Sequence, residues 1–359
     1  MELSELVGLR AVPCGGLLLT LTRRCPLSCA HCSTSSTMTG EEPSAAQLVR
    51  FVTSFTADDR PEVVMLTGGE PLLLPELAAD LAAAARAAGT RSALLSGMFF
   101  ARGGRIPARI LRAITAADHF SASLDAHHER EVGRPDVFRA VRQVLDAGVP
   151  VSFHLTGKGD DDPYLAELTA DIRREFADRV PMLVNRVRPL GRAASWAAAT
   201  GSRPDPQRAL PCAMAAWPVV AFDGTVLACC NQQAVDTRPA PDHLRLGHIA
   251  EDDWADVRRR SLSSPVLRMI RTVGPAHLYA RYAPGGAEPG YCDACRRLPR
   301  HPGVLAGAAR DFSGPLGELL DQRSAGRQTA AGPVDLVRRH GSVRYAELVA
   351  LPGPSRSPR

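Results

Sequence analysis

Along roughly the first 190 residues, short apolar runs alternate with longer amphipathic stretches of helical period. LLLTLT at 17–22 predicts a strand and SAAQLVRFVTSF at 44–55 a helix. VVMLTGGEP at 63–71 predicts a second strand stopped by glycines and Pro71, and LPELAADLAAAARAAG at 74–89 an Ala-rich helix closed by Gly89. SALLSGMFF, HFSASLD, VPVSFHLTGK and VPMLVNRVRPLG supply strands three to six, separated by helices in PARILRAITAA, DVFRAVRQVLDAG and PYLAELTADIRREFAD. Six strand-then-helix steps in about 180 residues predict an α/β fold, a partial (β/α)6 TIM-like barrel with its helices outside. Catalytic groups are then expected at the C-terminal ends of the strands.

Past Arg192 the pattern changes. AASWAAATGSRPDPQRA reads as a linker or loose helix, and DGTVLACC as the second strand of a hairpin turning at Asp223-Gly224. LRLGHIAEDDWADVRRR predicts a strand and a helix, and VDLVRRHGSVRYAELVAL a short helical pair. The expected organisation is a lead-in at 1–14, the barrel at 15–192, a smaller cysteine-rich domain at 193–303 and a basic, partly disordered tail at 304–359.

A chain of 359 residues with 45% hydrophobic content can bury a substantial core. No run approaches the roughly 18 apolar residues of a membrane span, and MELSELVGLR lacks a signal-peptide core, so a soluble, cytoplasmic protein without a membrane partner is expected. The net charge of +5 is concentrated at one end: from Arg296 onward there are 11 Arg, no Lys and 5 acidic residues. The body therefore carries no basic stripe, and no nucleic-acid partner is expected.

Nine cysteines in such a chain point to metal or redox chemistry more than to disulfides. Cys25, Cys29 and Cys32 form C-x3-C-x2-C on a polar loop at the end of the first strand, and Gly68-Gly69-Glu70-Pro71 ends the second. Zinc sites prefer paired C-x2-C spacings and four ligands. The cysteine spacing, the GGEP segment and the six repeats together resemble the radical S-adenosylmethionine (SAM) superfamily over residues 15–192. His31 departs from the aromatic residue usual before the last cysteine, although an imidazole can also pack flat beside adenine. The resemblance implies that three thiolates hold three irons of a 4Fe-4S cluster and leave the fourth open to the amino and carboxylate groups of SAM. It also implies reductive cleavage of SAM to methionine and a 5′-deoxyadenosyl radical, which removes a substrate hydrogen atom. An external electron donor such as flavodoxin or ferredoxin would supply the electron. Gly68, Gly69, Glu70 and Pro71 would face the methionine ammonium. Ser96, Gly97, Ser123, Asp125 and Thr156 resemble positions near the ribose or the methionine carboxylate, and Arg186, Arg188 and PLGRA at 189–193 a segment lying along adenine.

Cys212, Cys229, Cys230, Cys292 and Cys295 resemble the C-terminal twitch/SPASM-type extension that holds an auxiliary iron-sulfur cluster. With no cysteine after Cys295, the count fits the shorter, one-cluster twitch form. Cys212, Cys229, Cys292 and Cys295 would bind a second 4Fe-4S cluster, and a structural zinc on the same ligands remains open. The G-x4-C count from Gly224 selects Cys229; Cys230 is then a buried hydrophobe or a hydrogen-atom donor to a substrate radical. Cys14 reads as a small buried hydrophobe, and His127 and His128 as helix-start or surface residues, with a cavity-facing role after Asp125 as the alternative. The reading adopted is modification of a ribosomally made peptide by crosslinking, epimerisation or oxidation. Alternatives are radical oxidation or epimerisation of a carbohydrate or similar metabolite, and a metal-binding module without catalysis. No leader-peptide domain is visible, so a separate leader-binding protein is a further expected partner.

Overall fold

Each of the six apolar runs forms a strand, in a computed structural model that describes residues 1–197, 210–282 and 290–352. After helix α1 (Leu3–Gly8) come β1 (Gly16–Thr20), α2 (Ala45–Thr53), β2 (Val63–Thr67), α3 (Pro75–Ala87), β3 (Arg91–Ser96), α4 (Ala108–Ala116), β4 (His119–Ser123), α5 (Arg134–Asp146), β5 (Val151–Gly157), α6 (Pro163–Glu175) and β6 (Met182–Arg186). Strands β1 to β6 lie side by side in chain order, each parallel to the next. Ser44 caps α2 through Gln47 N–H, and proline opens α3, α5 and α6, where its missing N–H costs no helical bond.

Further strands extend the sheet beyond β1. β7 (Val219–Val220) runs parallel to β1, followed by the antiparallel β8 (Thr225–Leu227) and β9 (Arg245–His248), with α7 (Gln232–Asp236) between the last two. The expected hairpin turns at Gly224, whose φ of +86° suits glycine. α8 (Trp254–Ser263), α9 (Pro265–Thr272), α10 (Pro275–Tyr282), α11 (Tyr291–Arg297), α12 (Pro302–Phe312) and α13 (Gly314–His340) complete the described helices. None among the described residues is long and apolar enough to cross a membrane.

Two rows of side chains leave each parallel strand. Leu17, Leu19, Val64, Leu66, Leu94, Phe120 and Phe153 are fully buried in the large core with side chains of α2 to α6. Leu18, Met65 and Leu183 point the other way and pack on Leu3, Leu6, Trp217, Leu336, Val337 and Val349. The first and last helical segments thus jointly floor the barrel. Toward the strand C-termini the same inner row turns polar and half-buried at Thr67, Ser123, His154, Thr156 and Asn185.

The expectation of a loose tail from 304 is corrected here. Residues 302–350 are largely helical, α13 packing on α9 and on α1, with Val304, Ala308, Phe312, Leu336, Val337, Ala346 and Val349 buried. Their arginines pair locally, Arg338 with Glu347 and Arg339 with Asp335, so a net positive charge coexists with a packed segment. The hairpin is also shorter than TVLACC predicts: β8 ends at Leu227, and Cys229 and Cys230 follow it. The linker portion 198–209 lies outside the described residues.

Candidate metal and S-adenosylmethionine site

The loop after β1 carries Cys25, Cys29 and Cys32 at the C-terminal end of the sheet. Two segments hold it. From one side Gly69 N–H donates to Thr22 O and Glu70 N–H to Arg24 O, continuing the β1–β2 ladder into the loop. A Cβ on Gly68 would lie 2.4 Å from Thr22 O, and one on Gly69 2.3 Å from Arg24 O, so the paired glycines permit this close approach. From the other side the turn after β6 bonds to the loop through Arg192 and Trp196.

The three thiols sense one another and differ in their surroundings. Burial pushes Cys25 up to about 12, helped by the nearby charges of Glu70, Cys29 and Cys32. Burial would also raise Cys32, but hydrogen bonds from Thr34 and Ser36 and the Arg192 charge bring it below the ordinary thiol value. Like charges gathered on one loop favour a bound cation, because metal binding requires the thiolate.

Glu70 is fully buried at the GGEP turn. Its Oε1 accepts from Leu72 N–H at 3.0 Å and Ser96 Oγ at 3.0 Å, and its Oε2 from Gly97 N–H at 2.8 Å. The carboxylate thereby ties the end of β2 to the end of β3, which accounts for both Ser96 and Gly97. Burial pushes its pKa up to about 7 despite these donors. The native state then binds a proton that the unfolded chain has already released, so stability falls as pH rises from about 4.5 to about 7. The loss is on the order of 3 kcal/mol. Glu70→Gln should remove this slope from the urea midpoint of the metal-free protein, while imposing a pH-independent cost where its amide faces an N–H. Equal pH dependence in the two proteins would contradict it.

Asp125, just beyond β4, is 1% exposed and also engaged. Its Oδ1 accepts from the backbone N–H groups of His127 (2.9 Å) and His128 (3.1 Å). Its Oδ2 lies 2.9 Å from His128 Nδ1 and 3.2 Å from His31 Nε2. Burial opposes the charged form, but the two imidazoles hold the carboxyl well below its usual range. His31 stacks on His127 with centroids 4.7 Å apart, His127 in turn lies 5.3 Å from Trp196, and the Cys29 thiol is within hydrogen-bonding reach of His128. His127 and His128 therefore belong to the wall of the cysteine loop, not to a helix start or open surface. The sequence offered only their proximity to Asp125 as a signal. Ser123 and Thr156 end their strands half-buried, while Arg186 pairs with Asp160, and Arg188 is exposed with its guanidinium on His340 O at 3.3 Å.

The other thiols form a second group. Cys292 and Cys295 share one face of α11, Cys212 precedes β7, and Cys229 and Cys230 follow β8. Burial pushes Cys212 up to about 11, followed by the influence of Cys292 and, less strongly, Cys230. Cys229 is raised by burial and by Cys230, Cys295 and Cys212. Cys230 accepts a hydrogen bond from Arg10 Nη2 at 3.0 Å, a contact the sequence did not signal. Cys14 is buried, as expected.

Ligand spacing tests what each group can hold. Among the described residues, three ligand atoms come within 4.8 Å of one another at His31, Asp125 and His128, and no three thiols do. A single tetrahedral zinc needs its sulfurs about 3.8 Å apart. A cluster binds each thiolate to a different iron, so its sulfurs lie farther apart than those around one zinc.

Residues 19–172 match the family model described as "Radical SAM superfamily". The chain contains a radical SAM domain. This family is enzymatic and implies a 4Fe-4S cluster and SAM. Among solved structures the chain resembles Streptococcus suis SuiB bound to S-adenosylmethionine, at 12% identity and a TM-score of 0.48, over 68% of this chain and 65% of that one. It also resembles BtrN in complex with AdoMet and 2-DOIA, at 14% identity and a TM-score of 0.44, over 72% of this chain and 87% of that one. A third is anSMEcpe with bound AdoMet and the Cp18Cys peptide, at 14% identity and a TM-score of 0.42, over 82% of this chain and 98% of that one. The chain thus spans just under two thirds of the length of SuiB. No curated protein matches.

Proposed function

We propose that this protein is a radical SAM enzyme that modifies a ribosomally made peptide. The observation carrying the chemistry is the pairing of Cys25, Cys29 and Cys32 on one loop with a GGEP turn docked against that loop's backbone. When bound, the three-thiolate cluster would deliver an electron to SAM and so supply a 5′-deoxyadenosyl radical for hydrogen abstraction. The chain's own part is to fix the loop, to hold the buried Glu70 carboxylate where an ammonium would favour its ionised form, and to wall the site with His31, Asp125 and His128. The residues read as SAM contacts are Gly68, Gly69, Glu70, Pro71, His31, Ser96, Ser123, Asp125, Thr156 and Arg188. Glu70 and Asp125 enter the reading as organisers of the turn and loop, their oxygens being already bonded.

The half-buried polar row Thr67, Ser123, His154, Thr156 and Asn185 at the strand ends offers hydrogen-bonding groups that a peptide backbone would use. Strand addition at the sheet edges is disfavoured: Val184 O on β6 accepts from Ser342 N–H, and on β9 Leu246 O and His248 N–H are engaged by Arg260 and Asp252. Cys212, Cys229, Cys292 and Cys295 are read as ligands of a second 4Fe-4S cluster, with a structural zinc on the same thiols as the alternative reading.

Anaerobic reconstitution should give about eight irons per chain, and dithionite should then drive formation of 5′-deoxyadenosine from SAM. About four irons would remove the second cluster, and intact clusters without SAM cleavage would remove the enzyme assignment. A short peptide encoded beside the gene should lose two hydrogens or, on epimerisation, take up one deuterium in D2O. Turnover of a sugar in place of the peptide would transfer the assignment to the metabolite reading.

A further inference from the structure

The turn after β6 makes a dense set of contacts with the cysteine loop. Arg192 N–H donates to Cys32 O at 3.0 Å, its Nε to Cys29 O at 2.9 Å and its Nη1 to Ser36 O at 2.7 Å. Trp196 Nε1 adds a bond to Ala30 O at 3.1 Å. Gly191 sits at φ +53°, and a Cβ there would lie 2.3 Å from Cys32 O and 2.4 Å from Ser33 O, so the backbone is pressed onto the loop. Four carbonyls between Cys29 and Ser36 are thus bound by one short segment. No carboxylate pairs with Arg192 among the described residues; its guanidinium and backbone N–H bind loop carbonyls, and its own carbonyl accepts from Ser195 Oγ within the turn.

We propose that Gly191–Trp196 is a clasp that fixes the cysteine loop for cluster binding, with Arg192 as its positioning residue. The inference rests on the reading of Cys25, Cys29 and Cys32 as cluster ligands. A loop without regular structure must be ordered to present three sulfurs in one geometry, and that ordering opposes binding unless the fold supplies it beforehand. The planar guanidinium can span Cys29 O and Ser36 O at once, bridging the stretch that carries Cys32. The clasp's hydrogen bonds to the loop all run to backbone carbonyls, so it can set sulfur geometry without competing for the metal.

The test uses the full-length reconstituted protein. The cluster on the loop is recognised by the reduced EPR signal that shifts when SAM is added, and its loss to a ferrous chelator is followed over time. Arg192→Ala should lose this signal at least about tenfold faster than the wild type, the factor expected for even one of the two charge-assisted hydrogen bonds it removes. Its melting temperature and the signal unresponsive to SAM should stay unchanged. Arg192→Lys should keep most of the defect, because one ammonium cannot reproduce the fork. An Arg192→Ala rate equal to the wild type, or full rescue by Lys, would overturn the clasp. Should Arg192→Ala fail to fold, Trp196→Phe removes only the bond to Ala30 O from a 42% exposed side chain. It should speed loss about two- to threefold, and no change would overturn the proposal. A wild type with no SAM-responsive signal would instead remove the underlying cluster assignment.

Discussion

Replacing Cys25, Cys29 and Cys32 together by Ala abolishes 5′-deoxyadenosine formation and leaves a folded chain holding about four irons in the C-terminal thiol group. The expectation of retained fold follows from how the loop is attached. Its bonds to Gly69, Glu70, Arg192 and Trp196 run through main-chain carbonyls of Thr22, Arg24, Cys29, Ala30, Cys32 and Ser36, which the substitutions keep. Of the three thiols only Cys29 belongs to the buried core, while Cys25 and Cys32 pack against its border. Losing a buried sulfur costs about 1 kcal/mol, small beside the stability of a domain. Activity is affected in full because no other described residue group repeats this loop's spacing. Anaerobic HPLC of deoxyadenosine, iron analysis and circular dichroism give the three readouts. A triple variant that still cleaves SAM would overturn the assignment of the loop, and one that loses all iron would show that the two thiol groups are not independent.

The barrel was legible because period-two and period-3.6 patterns are local, and each of the six strands and the five helices between them lies within a few residues of its expected place. The cysteine loop and GGEP were legible for a similar reason, since both are contiguous and sit at strand ends. What escaped the sequence depends on distant partners. His128 reads as a helix-start or surface residue until Asp125 and the cysteine loop are placed around it, and Arg192, read within PLGRA as part of a segment along adenine, aims its guanidinium at Cys29 O and Ser36 O. The last 50 residues read as a basic tail because their arginines dominate the composition. Their apolar contacts are spread over α12, α13 and the final turn, and they find their counterparts in α9 and in α1 at the far end of the chain. The break in α13 at Gly332-Pro333 further dilutes its helical period.

Cys229→Ala loses the iron of the second group, whereas Cys230→Ala keeps it. The sequence reading put both residues on the hairpin's second strand, where successive side chains point to opposite faces, but β8 ends at Leu227 before either residue. The packing around them restores the distinction. Cys229 packs against the main core, and its thiol feels those of Cys230, Cys295 and Cys212. Cys230 packs against the small cluster of Val219, Phe222 and Val235 and receives the Arg10 guanidinium, which itself lies over Trp217 with 4.7 Å to the ring centroid. Cys230 is also close enough to act on Cys212 and Cys292, so it stands beside the group as a fifth thiol. A four-thiolate cluster has no use for a fifth ligand, and the one held by a protein cation is the one to spare. Iron analysis of the single variants, with Mössbauer spectra to count cluster types, should show about four irons missing from Cys229→Ala and none from Cys230→Ala. If Cys230 serves as the hydrogen donor to a substrate radical, Cys230→Ala should still form deoxyadenosine while the epimerised product is lost. The reverse pattern of iron loss would make Cys230 the ligand, and equal loss would mean that the fifth thiol is needed to build the site at all.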